Sequence, residues 1–194
     1  MKPKTRILFF YAAIAIALAV VVIYRHSILP EVLCNWMDDT IFFRFYSVQK
    51  KIYKAAYYRL LPVFGVQQAA ILATLLTAQS GNESDGWTSH VFVTDNNAFG
   101  VKLKNGNALR PYQSSKGLAA NDGGNYGHYS CVENSARDAA TWLFETPVKL
   151  QAFAAVTGLQ SYVQALYNND YFEGETVAAY DADVEHYYNL LNIA

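Results

Sequence analysis

Residues 66–81 read VQQAAILATLLTAQSG. Ala69, Leu72, Ala73 and Leu76 recur at helical spacing, and Ile71, Leu75 and Ala78 carry the same apolar character round the far side. A helix apolar nearly all round has no face to give to water, so the segment is predicted as the buried central helix of the fold. Pro62 and Gly65 precede it, and Gly81 is read as its stop. Glu83 comes next, about a turn beyond Gln79 and in line with Leu76. A carboxyl at the mouth of an apolar helix is a candidate general acid, because partial desolvation disfavours the ionised form and keeps the proton bound near neutrality. On helix position alone, a solvated acidic end residue is the simpler reading.

The residues beyond Glu83 change that weighing. The run GNESDGWTSHVFVTDNNAFGVKLKNG, residues 81–106, is polar, turn-rich and aromatic. It fits neither a long helix nor a continuous strand and reads as a loop folded over the helix end. Trp87 and Phe99 offer flat faces on which a sugar ring can stack, and Asn96 and Asn97 supply amides for N-acetyl and hydroxyl groups. Core filling is an equal reading for Phe99.

Towards the N-terminus, Ile7 to Ile23 (ILFFYAAIAIALAVVVI) carries no charge, Gly or Pro. Lys2, Lys4 and Arg6 precede it, and Arg25 and His26 lie just beyond it. Its length lies at the short edge of what spans a bilayer. A cleaved signal peptide shares the basic start and apolar middle, but Tyr24, Arg25 and His26 stand where a small-x-small cleavage pattern belongs, which favours a membrane anchor. The basic prefix predicts an N-inside orientation that exports the remainder.

Between anchor and Pro62, Phe42, Phe43, Phe45, Tyr46, Tyr53, Tyr57 and Tyr58 interleave with Arg44, Lys50, Lys51, Lys54 and Arg59. Such a pattern can bind a polyanion. The better reading is a helix with Phe45, Val48, Ile52, Ala55 and Ala56 on its apolar face and the cations in solvent, with a minor allowance for anionic headgroups. The chain thus divides into three parts: residues 1–24 as anchor, 25–61 as a basic and aromatic helical connector, and 62–194 as the working domain. Cys34 and Cys131 either form one disulfide in an oxidising compartment or remain two separate thiols. No CxxC or paired His/Cys spacing occurs, so no structural metal site is expected.

The chain of 194 residues is 53% hydrophobic and 16% charged, with a formal net charge of -1, which argues against a disordered chain. Taking Lys2, Lys4 and Arg6 from the 15 basic residues leaves 12 against 16 acidic ones. That balance argues against a nucleic-acid partner.

Several blocks together resemble the peptidoglycan β-N-acetylglucosaminidases of glycoside hydrolase family 73. Those enzymes show an Ala/Gln-rich helix, then Glu-Ser, a Gly/aromatic turn, Thr-Ser or Gly-Ser, and Asn-Asn-x-Phe-Gly. Here stand Glu83-Ser84, Asp85-Gly86-Trp87, Thr88-Ser89 and Asn96-Asn97-Ala98-Phe99-Gly100. A second block, Tyr-Ser followed by Glu-Ser-x-x-Asp, is similar to Tyr129, Ser130, Glu133, Ser135 and Asp138 in HYSCVENSARDAATWL. Asp170-Tyr171-Phe172 is similar to the family's closing tyrosine turn. The resemblance covers roughly residues 60 to 190.

That resemblance implies a catalytic acid at Glu83, protonating the glycosidic oxygen as an oxocarbenium-like transition state forms. The family places a second acid between the Phe-Gly and Tyr-Ser blocks, an interval in which Asp122 is the one acidic residue. Asp122 equally suits a turn beside Gly123, and the substrate's own N-acetyl group is the other route. Tyr129 would orient substrate or water. Asp138 reads as a helix-surface or structural residue, since Ala139 replaces a family tyrosine, and Glu133 reads as an N-terminal capping partner of Ser130.

The implied fold is mainly α: a lysozyme-like α+β domain with helices near 66–80 and 133–145, later helical segments 150–155, 159–167 and 177–193, and a small β-hairpin lobe between Val101 and Tyr129. The implied function is hydrolysis of the β-1,4 glycan backbone of peptidoglycan after N-acetylglucosamine, through Glu83 and without metal or organic cofactor. Its setting would be the bacterial cytoplasmic membrane, crossed once, with the domain on the extracytoplasmic side and glycan strands and cell-envelope assembly proteins as partners. A lytic transglycosylase acting on the same polymer, or a non-catalytic wall-binding or secretion scaffold, are the competing functions.

Overall fold

A computed structural model describes residues 44–103, 108–121, 123–172 and 174–192. The expected anchor 7–23, Cys34, the connector before residue 44 and Asp122 lie outside the described residues. The described chain is mainly helical, with one small antiparallel sheet.

Helix α1 (Arg44–Glu83) is the spine. It bends where Pro62 lacks an amide hydrogen and Gly65 leaves helical geometry at φ 76, ψ 173, a left-handed conformation that favours glycine. Before the bend Ile52, Ala55, Ala56 and Leu60 are buried; after it Ala69, Leu72, Ala73, Leu75, Leu76 and Ala78 are. From Phe45 onward the residues form one compact unit, which takes in the end of the expected connector together with the working domain. By length and apolar composition α1 is the one helix among the described residues that can cross a membrane. Its fully buried face is spent instead on the protein core, where each leucine contributes roughly 1.5–3 kcal/mol of apolar burial.

The expected stop at Gly81 is corrected. The helix runs on to Glu83, and Gly81 serves a close approach: a Cβ there would meet the Tyr187 ring at 2.5 Å. The chain then turns sharply through Asp85 (φ 49), Gly86 (φ 61) and Trp87 (φ 61). A short helix α2 (His90–Asp95) comes next, inside what the sequence suggested was an irregular loop. Ser89 caps it by accepting from the Phe92 amide, and Asn96 closes it in the left-handed region at φ 51, so both end signals were in the sequence.

Strands β1 (Ser115–Ala119) and β2 (Asn125–His128) make the antiparallel hairpin, with Ser115 opposite His128 and Ala119 opposite Asn125 across an irregular register. Helices α3 (Val132–Trp142), α4 (Pro147–Ala154), α5 (Leu159–Asn168) and α6 (Val177–Asn192) complete the chain. Ser130 does not cap α3 as expected; Cys131 occupies the cap position without a side-chain bond, and Ser130 accepts instead from the Asn134 amide side chain at 3.0 Å. These helices gather round α1 through Arg59 to Thr141 (2.8 Å), Gln68 to the carbonyls of Phe153 and Val156 (both 2.9 Å) and Tyr162 to Gln79 (2.5 Å).

Candidate active site

The last turn of α1 delivers Glu83 to the edge of a cleft of about 510 Å³. The cleft is walled by Phe99 and Gly100 from the loop after α2, by Trp142 from α3, by Tyr171 and Phe172 from the turn after α5, and by Tyr180 from α6. Tyr180 donates to Glu83 Oε1 at 2.5 Å. Burial pushes the Glu83 carboxyl up to about 7; the Tyr180 hydroxyl opposes that rise by favouring the charged form, and the negative charge of Glu175 adds to it. Glu175 is exposed and lines the same cleft.

The hydroxyl of Tyr180 is itself held from behind. Gln79, fully buried, donates its amide to Tyr180 (3.3 Å) and accepts from Tyr162 (2.5 Å). Phe172 stacks on the Tyr180 ring at 4.1 Å between centroids and 9° between planes, fixing the ring as well as its hydroxyl. On the other side, Gly100 sits at φ 60, and the nearest neighbour of a Cβ built there would be Glu83 Oε2, at 3.9 Å. The carboxyl thus has one oxygen tied to Tyr180 and the other towards the backbone of the cleft wall.

Aromatic rings line the groove beside the acid. Trp142 meets Tyr171 edge to face at 5.1 Å, and the Lys149 ammonium lies 3.6 Å from its ring centre. These rings give the groove apolar walls. Asp138 also lines the cleft, but its charge is committed: Arg110 Nε donates to both oxygens at 2.8 and 2.9 Å, and Tyr129 donates to Oδ2 at 2.7 Å.

Of the seven candidate site residues read from sequence, Glu83 and Phe99 meet at this cleft, where Asp138, Asp170, Tyr171 and Phe172 of the weaker matching blocks also lie. Asp122 lies outside the described residues. The other four serve elsewhere. Trp87 is only 7% exposed; its indole donates to Ser80 Oγ at 3.0 Å and its ring meets Tyr187, so it is a core residue and not a stacking platform. Asn97 donates to the Val101 and Gly127 carbonyls at 2.8 and 3.1 Å and accepts from the Val101 amide at 3.0 Å. Asn96 donates to the Tyr129 carbonyl at 2.9 Å. Both amides tie the loop to the hairpin. Tyr129 is fully buried behind the wall and orients Asp138, not substrate or water.

Tyr180, Glu175 and Arg110 were missed. For Tyr180 a signal existed: Val177, Tyr180, Val184 and Tyr187 form the inward stripe of α6, and a phenol inside an apolar stripe requires a polar partner. No family model, curated protein or solved structure matches this chain.

Proposed function

We propose that the protein is a membrane-tethered peptidoglycan hydrolase with a lysozyme-like domain, cleaving the β-1,4 glycan backbone after N-acetylglucosamine with Glu83 as general acid. The observation that carries this is the Glu83 carboxyl, half-buried beside an aromatic-walled groove and holding its proton up to about pH 7. A general acid works best when its pKa lies near the working pH, and desolvation places Glu83 there. The resemblance of Glu83-Ser84 and Asn96-Asn97-Ala98-Phe99-Gly100 to family 73 supports the same assignment.

In this scheme a glycan strand lies along the groove with sugar rings against Trp142 and Tyr171. Glu83 gives its proton to the departing glycosidic oxygen as the C1–O bond breaks and positive charge grows on the sugar ring. Either the substrate's N-acetyl carbonyl oxygen bonds to C1 and water then opens that ring, giving its proton to the Glu83 carboxylate, or water attacks C1 directly and gives its proton to a second carboxylate. Asp138 is unsuited to that second role, because Arg110 and Tyr129 already hold it. The same commitment favours keeping a lytic transglycosylase as the second reading, since attack by the sugar's own 6-hydroxyl requires one carboxyl group alone.

The test is digestion of purified cell wall and defined glycan strands by the full chain and by Glu83→Gln. Glu83→Gln is expected to lose about 10²–10⁴-fold in turnover while still binding the wall. Equal solubilisation by both proteins would leave a binding scaffold as the function. Product masses lower by one water would assign the transglycosylase.

A further inference from the structure

We propose that the buried chain Tyr162–Gln79–Tyr180 assigns the acidic proton of Glu83 to Oε2, the oxygen beside Gly100, and so makes Gln79 and Tyr180 positioning residues for proton transfer. The proposal rests on Glu83 being the acid and adds how its proton is aimed.

An amide has one oxygen that only accepts and one nitrogen that only donates, so Gln79 gives the chain a direction. Its Oε1 takes the Tyr162 proton at 2.5 Å, and its Nε2 donates to the Tyr180 oxygen at 3.3 Å. The single proton of Tyr180 is then left for Glu83 Oε1, 2.5 Å away. Burial and the neighbouring Glu83 charge both push the Tyr180 hydroxyl far above its ordinary range, which keeps it a donor. An oxygen that already accepts this bond serves as the carbonyl oxygen of the neutral acid. The O–H is therefore on Oε2, which faces the Gly100 backbone and the cleft.

The arrangement favours the transition state as well as the ground state. As the Oε2–H bond breaks and a new O–H bond forms on the glycosidic oxygen, the C1–O electron pair passes to that oxygen and negative charge grows on Glu83. The Tyr180 bond then becomes charge-assisted and strengthens. The groups facing Glu83 are Tyr180 on α6, Tyr162 on α5, and Tyr171 and Glu175 on the intervening turn. Lys102, Arg110, Asp138 and Asp170 lie further round the cleft. Among them Tyr180 is the group that donates to the carboxyl.

Infrared difference spectroscopy of the full chain in detergent, with Glu83→Gln as the subtraction, reads the protonated carboxyl band directly. In the native protein that band should titrate away with a midpoint of about 7. In Tyr180→Phe the midpoint should rise by about one pH unit, because a donor to the carboxylate is lost. The C=O stretch should also move to higher frequency, because its acceptor bond is lost. Gln79→Met should move both in the same direction by less, and it carries the test if Tyr180→Phe fails to show a native amide band. An unchanged or lower midpoint, or an unchanged C=O frequency, overturns the proton assignment. A native protein with these shifts but no turnover on glycan overturns the hydrolase assignment and leaves the proton placement standing; Glu83-dependent turnover without them does the reverse.

Discussion

Glu83 is held between burial, which resists its ionisation, and Tyr180, which welcomes it; Glu175 adds a negative charge from the same cleft. Removing that charge in Glu175→Gln makes ionisation easier and lowers the proton affinity of Glu83. The alkaline limb of the pH–rate profile, where the acid loses its proton, should therefore move to lower pH by about half a pH unit. The displacement should shrink as salt is raised, because Glu175 is exposed. Tyr180→Phe moves the same limb in the opposite direction, so the pair of profiles separates charge from hydrogen bonding. A limb that stays in place in Glu175→Gln would show that this charge does not reach the acid. At this scale the place of Glu83 at the end of the apolar helix was readable, because one helix sets it, but its desolvation was not, because that comes from Tyr180 and the cleft walls far along the chain. Asn96, Asn97 and Trp87 were not, since an amide or an indole reads the same whether it meets a ligand or its own backbone. Only the fold shows that Asn97 spends its donors on Val101 and Gly127.

The hairpin depends on one buried carboxylate at the end of α2. Asp95 accepts from the Leu118 amide at 2.8 Å and meets His128 Nδ1 at 3.0 Å, while its backbone carbonyl accepts from the Tyr129 amide at 2.9 Å. Gly117 lies so close that a Cβ there would stand 2.5 Å from Asp95 Oδ2. Asp95→Ala leaves the Leu118 amide without its acceptor and removes the contact to His128, which costs on the order of 1–3 kcal/mol. Hydrogen exchange should accelerate by about 10- to 100-fold at the amides of residues 115–119 and 125–128, and by far less in α5. Uniform acceleration across the molecule would show instead that hairpin and helices open as one body. The longer helices were legible, because apolar periodicity acts locally, whereas the hairpin was expected only from the resemblance, since its short strands carry no clear alternation. Helix α2 and the continuation of α1 through Gly81 were not: a six-residue helix shows little periodicity, and the glycine answers to Tyr187, about a hundred residues on.

Across the whole molecule, the cost of desolvating an ionisable group at the cleft edge emerges as a pH dependence of stability. Glu83 has a folded pKa of about 7 against an ordinary value of 4.5, so the folded state binds the proton more tightly than the unfolded chain. Stability contributed by that proton is fully present below pH 4.5 and is lost as pH rises to about 7, by an amount on the order of 3 kcal/mol. Glu83→Gln has the shape of the acid and no charge to bury. The variant should therefore match the native protein below pH 4.5 and exceed it above pH 7, with a melting temperature higher by roughly 5–10 °C at pH 8. Thermal unfolding of both full chains from about pH 4 to about pH 8 measures this without any substrate. Melting temperatures that run parallel over the whole range would mean that Glu83 is hydrated in solution, and the general acid would lose its physical basis. A gap that opens between pH 4.5 and 7 would show that the fold sacrifices stability to keep one proton in place at the cleft.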